Sequence, residues 1–535
     1  MIRKLLLKLA RVAWFLPGVL LWAAFPPMGE KADVMFALAP LMWLSRRADA
    51  RTSAKRWFQS GIFFWVATLA WMPAIVKNGG PWPLVVLGWG ALAAYCAAYF
   101  AAYGWLSAKA WAWARGGAYA RRLFALVAIE PILWCGLELV RSRFGGGFAW
   151  NQLGVVPVNG GYGAPAALGG VYLCSAVVIL VNGAIASVAE RMWRPDPKLP
   201  KLARPLETLL PFLLVWGLYR VSPAPSVDVP AEGALKVAMV QRNFPCVFKP
   251  QEAEHPWLVY SNLFSTVSYV QPELLVLSES ALCEFGLADS ANAREFARRA
   301  LALTGARGML AGASRREAGH EYNSAALYSA EGDWQVYDKV HLVPFGEYIP
   351  GDKWIEALQR LAPVGSCTPG ELKTLDFDGG CVGVAICFED TDSAQMRRLA
   401  EQGAELLLFI TNDSWFSHSV EAEQHAWQAV ARAIETGLHV VRTGNSGVSG
   451  SIAPDGTASW LADASGRALV DCRGTMLTLV PRPAATAAER DVAVPRTVYV
   501  LLGDKPLAML FGLLILGMIL VQYKETYEKR RTLSL

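Results

Sequence analysis

Long apolar runs alternate with short basic segments along the first 220 residues of the chain, and one more apolar run lies near the C-terminus. A helix that crosses a bilayer needs about 20 mostly apolar residues. The pattern therefore predicts eight membrane spans, seven before residue 221 and one after residue 499. They lie near residues 12–26, 32–45, 57–76, 83–107, 123–140, 165–189, 205–220 and 501–521.

Residues 221–499 show a different pattern, in which short apolar, β-branched runs alternate with stretches of helical periodicity. The runs predict strands at 235–241, 274–277, 309–313, 325–329, 334–337, 382–386, 406–410, 439–442 and 448–452. Helices are predicted near 252–269, 290–304, 391–402 and 420–436. This alternation is typical of an α/β domain with both parallel and hairpin pairings. We thus expect a bundle of seven membrane helices (1–220), an α/β domain (221–499), and a C-terminal membrane helix with its tail (500–535).

Charge follows the same division of the chain. Residues 221–499 hold 34 acidic and 22 basic residues, whereas the rest of the chain holds 11 acidic and 28 basic residues. Lys and Arg are retained on the cytoplasmic side of a membrane. The N-terminus, the alternate loops and the C-terminal tail hold 22 of them, against five in the opposite loops and at the end of the seventh span. Both termini are therefore expected in the cytoplasm, with residues 221–499 outside it.

Composition narrows the class of protein. The chain is 54% hydrophobic and 18% charged, whereas soluble domains are about 45–50% apolar and about 25% charged. A disordered or collagen-like protein is excluded by these values. The acidic outer domain also argues against a nucleic-acid partner, because binding to the phosphate backbone depends on Lys and Arg.

Three reactive residues, Glu279, Lys339 and Cys387, each lie within two positions of the end of a predicted strand. In α/β folds such strand ends gather ligand-facing groups. Each residue also has an ordinary explanation, since Glu can cap a helix, Lys can pair with Asp338, and Cys is commonly buried. Together, however, they supply a base that can take a thiol proton, a nucleophile, and a positive group for a developing oxyanion. The set indicates acyl transfer.

Several segments resemble one family. Lys339 is followed by VHLVPFGEYIP at 340–350, and further matches are VAICFE at 384–389, TNDSWF at 411–416 and RTGNSG at 442–447. These segments resemble the apolipoprotein N-acyltransferase family, the membrane branch of the nitrilase, or carbon–nitrogen hydrolase, superfamily. The resemblance covers nearly the whole chain. It implies an α-β-β-α sandwich for the outer domain, and its eight spans match those predicted from hydropathy.

The resemblance also implies roles for individual residues. Cys387 would attack the ester of a phospholipid acyl donor and hold the acyl chain as a thioester, in a ping-pong mechanism. Glu279 would take the thiol proton and later activate the incoming amine, and Lys339 would stabilise the tetrahedral oxyanion. The acceptor would be the α-amino group of a diacylglyceryl-modified cysteine at the N-terminus of an apolipoprotein. Glu347 matches a glutamate near the Lys and Cys, and Glu389 matches the glutamate that follows the nucleophile by two positions.

The family likewise implies a location and a set of partners. The chain would be a multi-pass protein of the bacterial inner membrane, with its catalytic domain in the periplasm, acting as a monomer without cofactor or metal. Trp415 matches a substrate-facing aromatic residue, although core packing explains a Trp there equally well. A lid is suggested by Trp354, Ile355, Leu358 and Leu361, which share one helical face.

Other chemistries find less support in the sequence. His418 and His425 are seven residues apart and could share a helix face, but they lack a third metal ligand, so solvated or capping histidines are expected. Two other classes of protein stay open. One is a membrane-tethered amidase or nitrilase, in which water resolves the thioester. The other is a non-catalytic scaffold or transporter that only keeps the fold.

Overall fold

The computed structural model describes residues 14–193, 203–223, 232–245, 255–349, 366–483 and 496–533. The chain divides into two compact units. The first unit contains Met1–Ala70, Val86–Pro223 and Leu502–Leu535, and the second contains Trp71–Val85 and Ala224–Leu501. The four residues expected to form a lid, between positions 354 and 361, lie outside the described residues.

The first unit is built from helices. Four described helices are long and apolar enough to cross a membrane: Trp82–Arg115, Tyr119–Arg141, Ala166–Trp193 and Lys505–Glu528. Shorter or more polar helices lie at the other expected spans: Leu16–Ala24, Val34–Ala37, Ala39–Ser45, Ala50–Thr68 and Ala203–Val221. The last two each include three charged residues, and the first three have only nine residues or fewer. The expectation of eight spans is therefore not confirmed beyond these four helices.

The described residues of the second unit form twelve strands in two six-stranded sheets. The strands are β1 (Leu235–Gln241), β2 (Leu274–Leu277), β3 (Gly308–Glu317), β4 (His320–Ser329), β5 (Trp334–Asp338), β6 (Leu375–Phe377), β7 (Gly380–Ile386), β8 (Leu406–Thr411), β9 (His439–Gly444), β10 (Gly450–Ile452), β11 (Ala458–Trp460) and β12 (Gly474–Val480). The first sheet has the order β12-β1-β2-β3-β4-β5, and the second has the order β11-β10-β9-β8-β7-β6. Strands β6, β11 and β12 were not expected from the sequence.

Each sheet has a parallel centre and antiparallel edges. Strands β1, β2 and β3 are parallel in the first sheet, and β7, β8 and β9 are parallel in the second. Their burial is almost continuous: every residue of β2, β8 and β9 is buried. Strands covered on both faces read as unbroken apolar runs, which is why the hydropathy pattern located them.

Two layers of apolar side chains hold the second unit together. One layer lies between the sheets and includes Val237, Val276 and Leu310 from the first sheet with Val384 and Leu408 from the second. The other layer covers the opposite face of the first sheet with the helices Pro256–Ser268 and Ala291–Thr304. The helices Ser393–Glu401 and Glu421–Thr436 pack on the second sheet. The unit is therefore an α-β-β-α sandwich, as the family resemblance implied.

Candidate active site

The ends of three strands bring Glu279, Lys339 and Cys387 together. Glu279 follows β2, Lys339 follows β5, and Cys387 follows β7 of the other sheet. The ammonium nitrogen of Lys339 lies 3.7 Å from Oε1 of Glu279 and 3.0 Å from Oε1 of Glu347, and only 1% of Lys339 is exposed. Besides the larger effect of burial, the Glu279 charge raises the pKa of the Cys387 thiol and the Lys339 charge lowers it.

Cys387 stands in an unusual backbone conformation. It begins a 3₁₀ turn, Cys387–Thr391, and its φ of +54° lies in the left-handed region, which residues other than glycine rarely adopt. Such outliers persist only where surrounding structure holds them, and they cluster at functional sites. The sharp turn carries the chain from the buried strand β7 directly into the site, with the thiol at the corner.

Close packing of the backbone of β3 against the loop after β2 fixes the position of Glu279. A Cβ on Gly312, in β3, would lie 2.5 Å from the Cα atom of Glu279, well inside van der Waals contact. The backbone N–H of Gly312 also donates to the carbonyl of Ser278 at 3.1 Å. The loop after β2 therefore lies directly on β3, and only glycine leaves room for it there.

Glu389 joins the strand end that carries the lysine to the strand end that carries the cysteine. Its Oε1 atom accepts from the backbone N–H groups of Val340 and His341 at 2.7 and 3.0 Å, and its Oε2 atom accepts from Ile386 at 2.8 Å. Glu389 is fully buried. Because β5 and β7 belong to different sheets, this one carboxylate fixes the two halves of the site against each other.

Asn323 is a site residue that the sequence analysis missed. Its side-chain amide donates to Oε1 of Glu279 at 2.7 Å and to Oε1 of Glu347 at 2.6 Å, so it bridges the two carboxylates that flank Lys339. Glu347 is held further by the backbone N–H of Val343, which donates to its Oε2 atom at 2.7 Å. A signal was present, since Asn323 is a polar residue in a strand that continues as Ser-Ala-Ala-Leu.

Burial and the central cation set the protonation of these groups. Burial alone would lower the pKa of Lys339, but Glu347 and Glu279 outweigh it and raise that pKa above its ordinary value. The opposite balance holds at Glu279, where burial outweighs Lys339 and raises the pKa. At Glu347 burial raises the pKa, but the Lys339 charge together with hydrogen bonds from Asn323 and Val343 outweighs burial and lowers it. Burial, and then Glu279, raise the pKa of the Cys387 thiol well above its usual range. The resting site therefore holds a thiol beside a carboxylate of raised basicity.

His425 lies beside the nucleophile and is buried, contrary to the expectation of a solvated or capping histidine. The helix Glu421–Thr436 turns it inward, where only 1% is exposed, whereas His418 faces solvent. Cys387, Asp413 and His425 each offer a potential metal-ligand atom, all within 4.8 Å of one another. Burial lowers the pKa of His425, but Asp390 and Asp413 raise it to about 10. Both ring nitrogens of His425 face carboxylates, Nε2 that of Asp390 and Nδ1 that of Asp413.

Trp415 lies in the 3₁₀ turn Asp413–Phe416 and is half-buried. Its backbone carbonyl accepts a hydrogen bond from the side-chain amide of Asn78 at 2.7 Å, and Asn78 also donates to the carbonyl of Ser414 at 3.2 Å. Trp71 packs edge-on against Phe416, with ring centroids 4.7 Å apart. The segment Trp71–Val85, from the membrane half of the sequence, thus packs on a turn beside the site within the second unit.

Two six-stranded sheets between helices, with Glu, Lys and Cys at neighbouring strand ends, define a carbon–nitrogen hydrolase domain. The Carbon-nitrogen hydrolase family model matches residues 236–479, and the model for the apolipoprotein N-acyltransferase N-terminal domain matches residues 17–184. An apolipoprotein N-acyltransferase from Geobacter metallireducens is 31% identical over 82% of this chain and 84% of its own length. Another from Photobacterium profundum is 27% identical over 98% of both chains. The chain therefore belongs to the apolipoprotein N-acyltransferase family.

Solved structures give a further comparison. An amidase from Nesterenkonia sp. covers 50% of this chain and 99% of its own, with 19% identity and a TM-score of 0.36. A carbon–nitrogen hydrolase superfamily protein from Xanthomonas campestris covers 51% of this chain and 98% of its own, with 19% identity and a TM-score of 0.37.

Proposed function

We propose that this protein transfers a fatty acyl chain from a phospholipid to the α-amino group of the N-terminal diacylglyceryl-cysteine of apolipoproteins. Family membership supports the reaction and its lipoprotein acceptor. The observation that carries the mechanism is the buried Lys339 ammonium, held between Glu279 and Glu347 beside the Cys387 thiol. A base, a nucleophile and a cation meet there at one point, which is what acyl transfer through a covalent intermediate requires.

In the first half-reaction the Cys387 sulfur attacks the ester carbonyl of the phospholipid while Glu279 takes the thiol proton. The carbonyl oxygen becomes an oxyanion, and the Lys339 ammonium stabilises it. When the tetrahedral intermediate collapses, the ester C–O bond breaks and Glu279 returns the proton to the leaving alkoxide. The products are a lysophospholipid and an acyl thioester on Cys387.

In the second half-reaction the amine of the acceptor attacks the thioester. Glu279 takes a proton from the amine nitrogen, and Lys339 again faces the oxyanion. Collapse breaks the C–S bond, the sulfur recovers a proton from Glu279, and an amide remains on the lipoprotein. A raised pKa suits Glu279 to both steps, because a general acid–base works best when its pKa lies near the working pH.

The proposal includes a topology. Both termini lie in the cytoplasm and the second unit lies in the periplasm, because the alternate loops and both ends of the chain carry most of the Lys and Arg outside residues 221–499. Eight spans and a monomeric chain belong to the same proposal. This arrangement gives a phospholipid of the outer leaflet and a membrane-anchored lipoprotein access to one site.

Mass spectrometry of the purified full-length protein tests the mechanism. Incubation with phospholipid alone should add one acyl chain to the peptide that contains Cys387, and a diacylglyceryl peptide with a free N-terminal amine should then remove it. The Cys387→Ala variant should form neither adduct nor product, and the Cys472→Ala variant should match the wild type. N-acylation by Cys387→Ala would overturn the proposal. Release of free fatty acid at the same rate with and without the amine would favour the hydrolase alternative.

A further inference from the structure

Five ionisable side chains lie buried beside the Cys387 turn: Asp390, Asp413, Glu421, His425 and Arg442. Each is no more than 4% exposed. Burying charge is costly unless the charges are paired. The mechanism described above uses none of these five groups, so their presence next to the nucleophile needs another explanation.

His425 stands at the centre of this cluster. Its Nε2 atom forms an ion pair with Oδ1 of Asp390 at 3.0 Å, and its Nδ1 atom lies 2.9 Å from Oδ1 of Asp413. Asp390 belongs to the turn Cys387–Thr391, and Asp413 opens the turn after β8. One imidazole ring therefore connects the turn that carries the nucleophile to the neighbouring turn.

Arg442, from β9, completes the charge balance. Its guanidinium lies 3.4 Å from Oδ2 of Asp390 and 3.6 Å from Oδ2 of Asp413. Despite burial, His425 and Arg442 lower the pKa of Asp413 to about 2, and burial together with Asp413 raises the pKa of Glu421 well above its ordinary value. Two acidic side chains, Asp390 and Asp413, thus face two basic ones, His425 and Arg442, and Glu421 lies 3.6 Å from Nδ1 of His425.

The fit of the cluster around Asp413 is close. A Cβ on Gly447 would lie 1.8 Å from Oδ2 of Asp413, so the loop after β9 allows no side chain there. Thr411 donates its hydroxyl to Oδ1 of Asp413 at 2.7 Å. Asp413 itself raises the pKa of the Cys387 thiol, so a carboxylate in this position opposes thiolate formation unless a cation offsets it.

We propose that His425 is a positioning residue for the nucleophile: its imidazolium ties the Cys387 turn to the Asp413 turn and offsets the Asp413 carboxylate, whose oxygen lies with the Cys387 sulfur and a His425 ring nitrogen inside 4.8 Å. The inference rests on the proposed role of Cys387. It predicts opposite effects for two substitutions. Removing the cation leaves the Asp413 carboxylate acting on the sulfur without its partner, whereas removing Asp390, which pairs with His425, leaves an excess of positive charge beside the sulfur. If these contacts were only structural, both substitutions would change the reactivity of Cys387 in the same direction.

Alkylation of Cys387 by iodoacetamide, followed by mass spectrometry of its peptide, separates these cases in the full-length protein. Only the thiolate reacts, so the rate at fixed pH reports the thiolate fraction. His425→Gln should slow alkylation about tenfold, equivalent to a thiol pKa about one unit higher, and Asp390→Asn should accelerate it. The exposed His418→Gln serves as the control and should match the wild type.

Acyl-enzyme formation from phospholipid should slow by at least about tenfold in His425→Gln. Slower alkylation in both variants, or no change in either, would overturn the inference. Should His425→Gln fail to fold, the acceleration in Asp390→Asn alone decides it, since only an electrostatic role predicts a gain. The alkylation assay needs no lipid or lipoprotein, so its outcome is independent of whether acyl transfer occurs as proposed.

Discussion

The hydroxyl of Tyr337 donates to the carboxylate of Glu389, 2.9 Å from one oxygen and 3.0 Å from the other. Tyr337 lies in β5 of the first sheet, and Glu389 lies in the turn after β7 of the second. Three backbone N–H groups also donate to Glu389, so this fully buried carboxylate accepts hydrogen bonds from four donors. The position of Lys339 relative to Cys387 therefore depends on Glu389, a side chain that forms no hydrogen bond to either residue.

Replacing Glu389 with Gln should destabilise the protein. The amide nitrogen would have to face backbone donors, and each unsatisfied buried donor costs about 1–3 kcal/mol. Tyr337→Phe is the matched comparison, because it removes one donor and leaves three, with an expected cost of about 1 kcal/mol. Thermal unfolding of the detergent-solubilised protein measures both effects. Equal unfolding temperatures for Glu389→Gln and the wild type would contradict the role of this carboxylate.

The acid limb of the rate profile should report Glu279. A general base must be deprotonated, and burial raises the pKa of Glu279 above its ordinary value of 4.5. Activity should therefore fall, as pH decreases, at a pH above 4.5. Lys339, whose pKa is raised, stays protonated through neutral pH and should add no limb there. The measurement is kcat/KM for N-acylation against pH, and a limb at or below 4.5 would exclude a buried Glu279 as the base.

Substituting Lys339 with Met should remove the oxyanion contact while keeping the length of the side chain. Loss of one such donor costs about 10²–10³ in kcat. Glu347 would also lose the charge that lowers its pKa. The rate of acyl-enzyme formation in a single turnover measures the effect, with phospholipid in excess. A loss of less than about tenfold would mean that another group faces the oxyanion.

Asn323 offers a test of the charge balance at the base. Asn323→Asp would place a third carboxylate against Glu279 and Glu347, so the pKa of Glu279 should rise and the acid limb should move to higher pH. Asn323→Ala only removes the donor and serves as the comparison. Profiles of kcat/KM against pH for the two variants should separate, with the Asp variant displaced further. Coincident profiles would show that the added charge does not reach the base.

The sequence located the buried central strands and the three residues at their ends, because each signal is local. The predicted strands 235–241 and 274–277 match β1 and β2 at both ends. The edge strands β6 and β11, three residues each, carry too little periodicity to be recognised. Lys339 and Cys387 could be singled out because each follows an apolar run within a few residues.

Contacts between distant segments were not accessible from the sequence in the same way. His425 looks like a solvated helix residue until the fold brings Asp390 and Asp413 to its two ring nitrogens. Asn323 acts on Glu279 across 44 positions of the chain. The predicted spans show a related difficulty. The helices Ala50–Thr68 and Ala203–Val221 each include three charged residues, and neither is among the four described helices that are long and apolar enough to cross a membrane.

The segment Trp71–Val85 has a consequence for anyone who dissects or recombines this protein. An excised catalytic fragment that starts at residue 224 would lack the Asn78 amide that donates to the Ser414 and Trp415 carbonyls. Chimeras between homologues meet the same restriction, because residues 224–501 of one protein would then pack on the Trp71–Val85 segment of another. The second unit is therefore encoded by two separate stretches of the gene. A chimera that is meant to keep its function has to take Trp71–Val85 and Ala224–Leu501 from the same homologue.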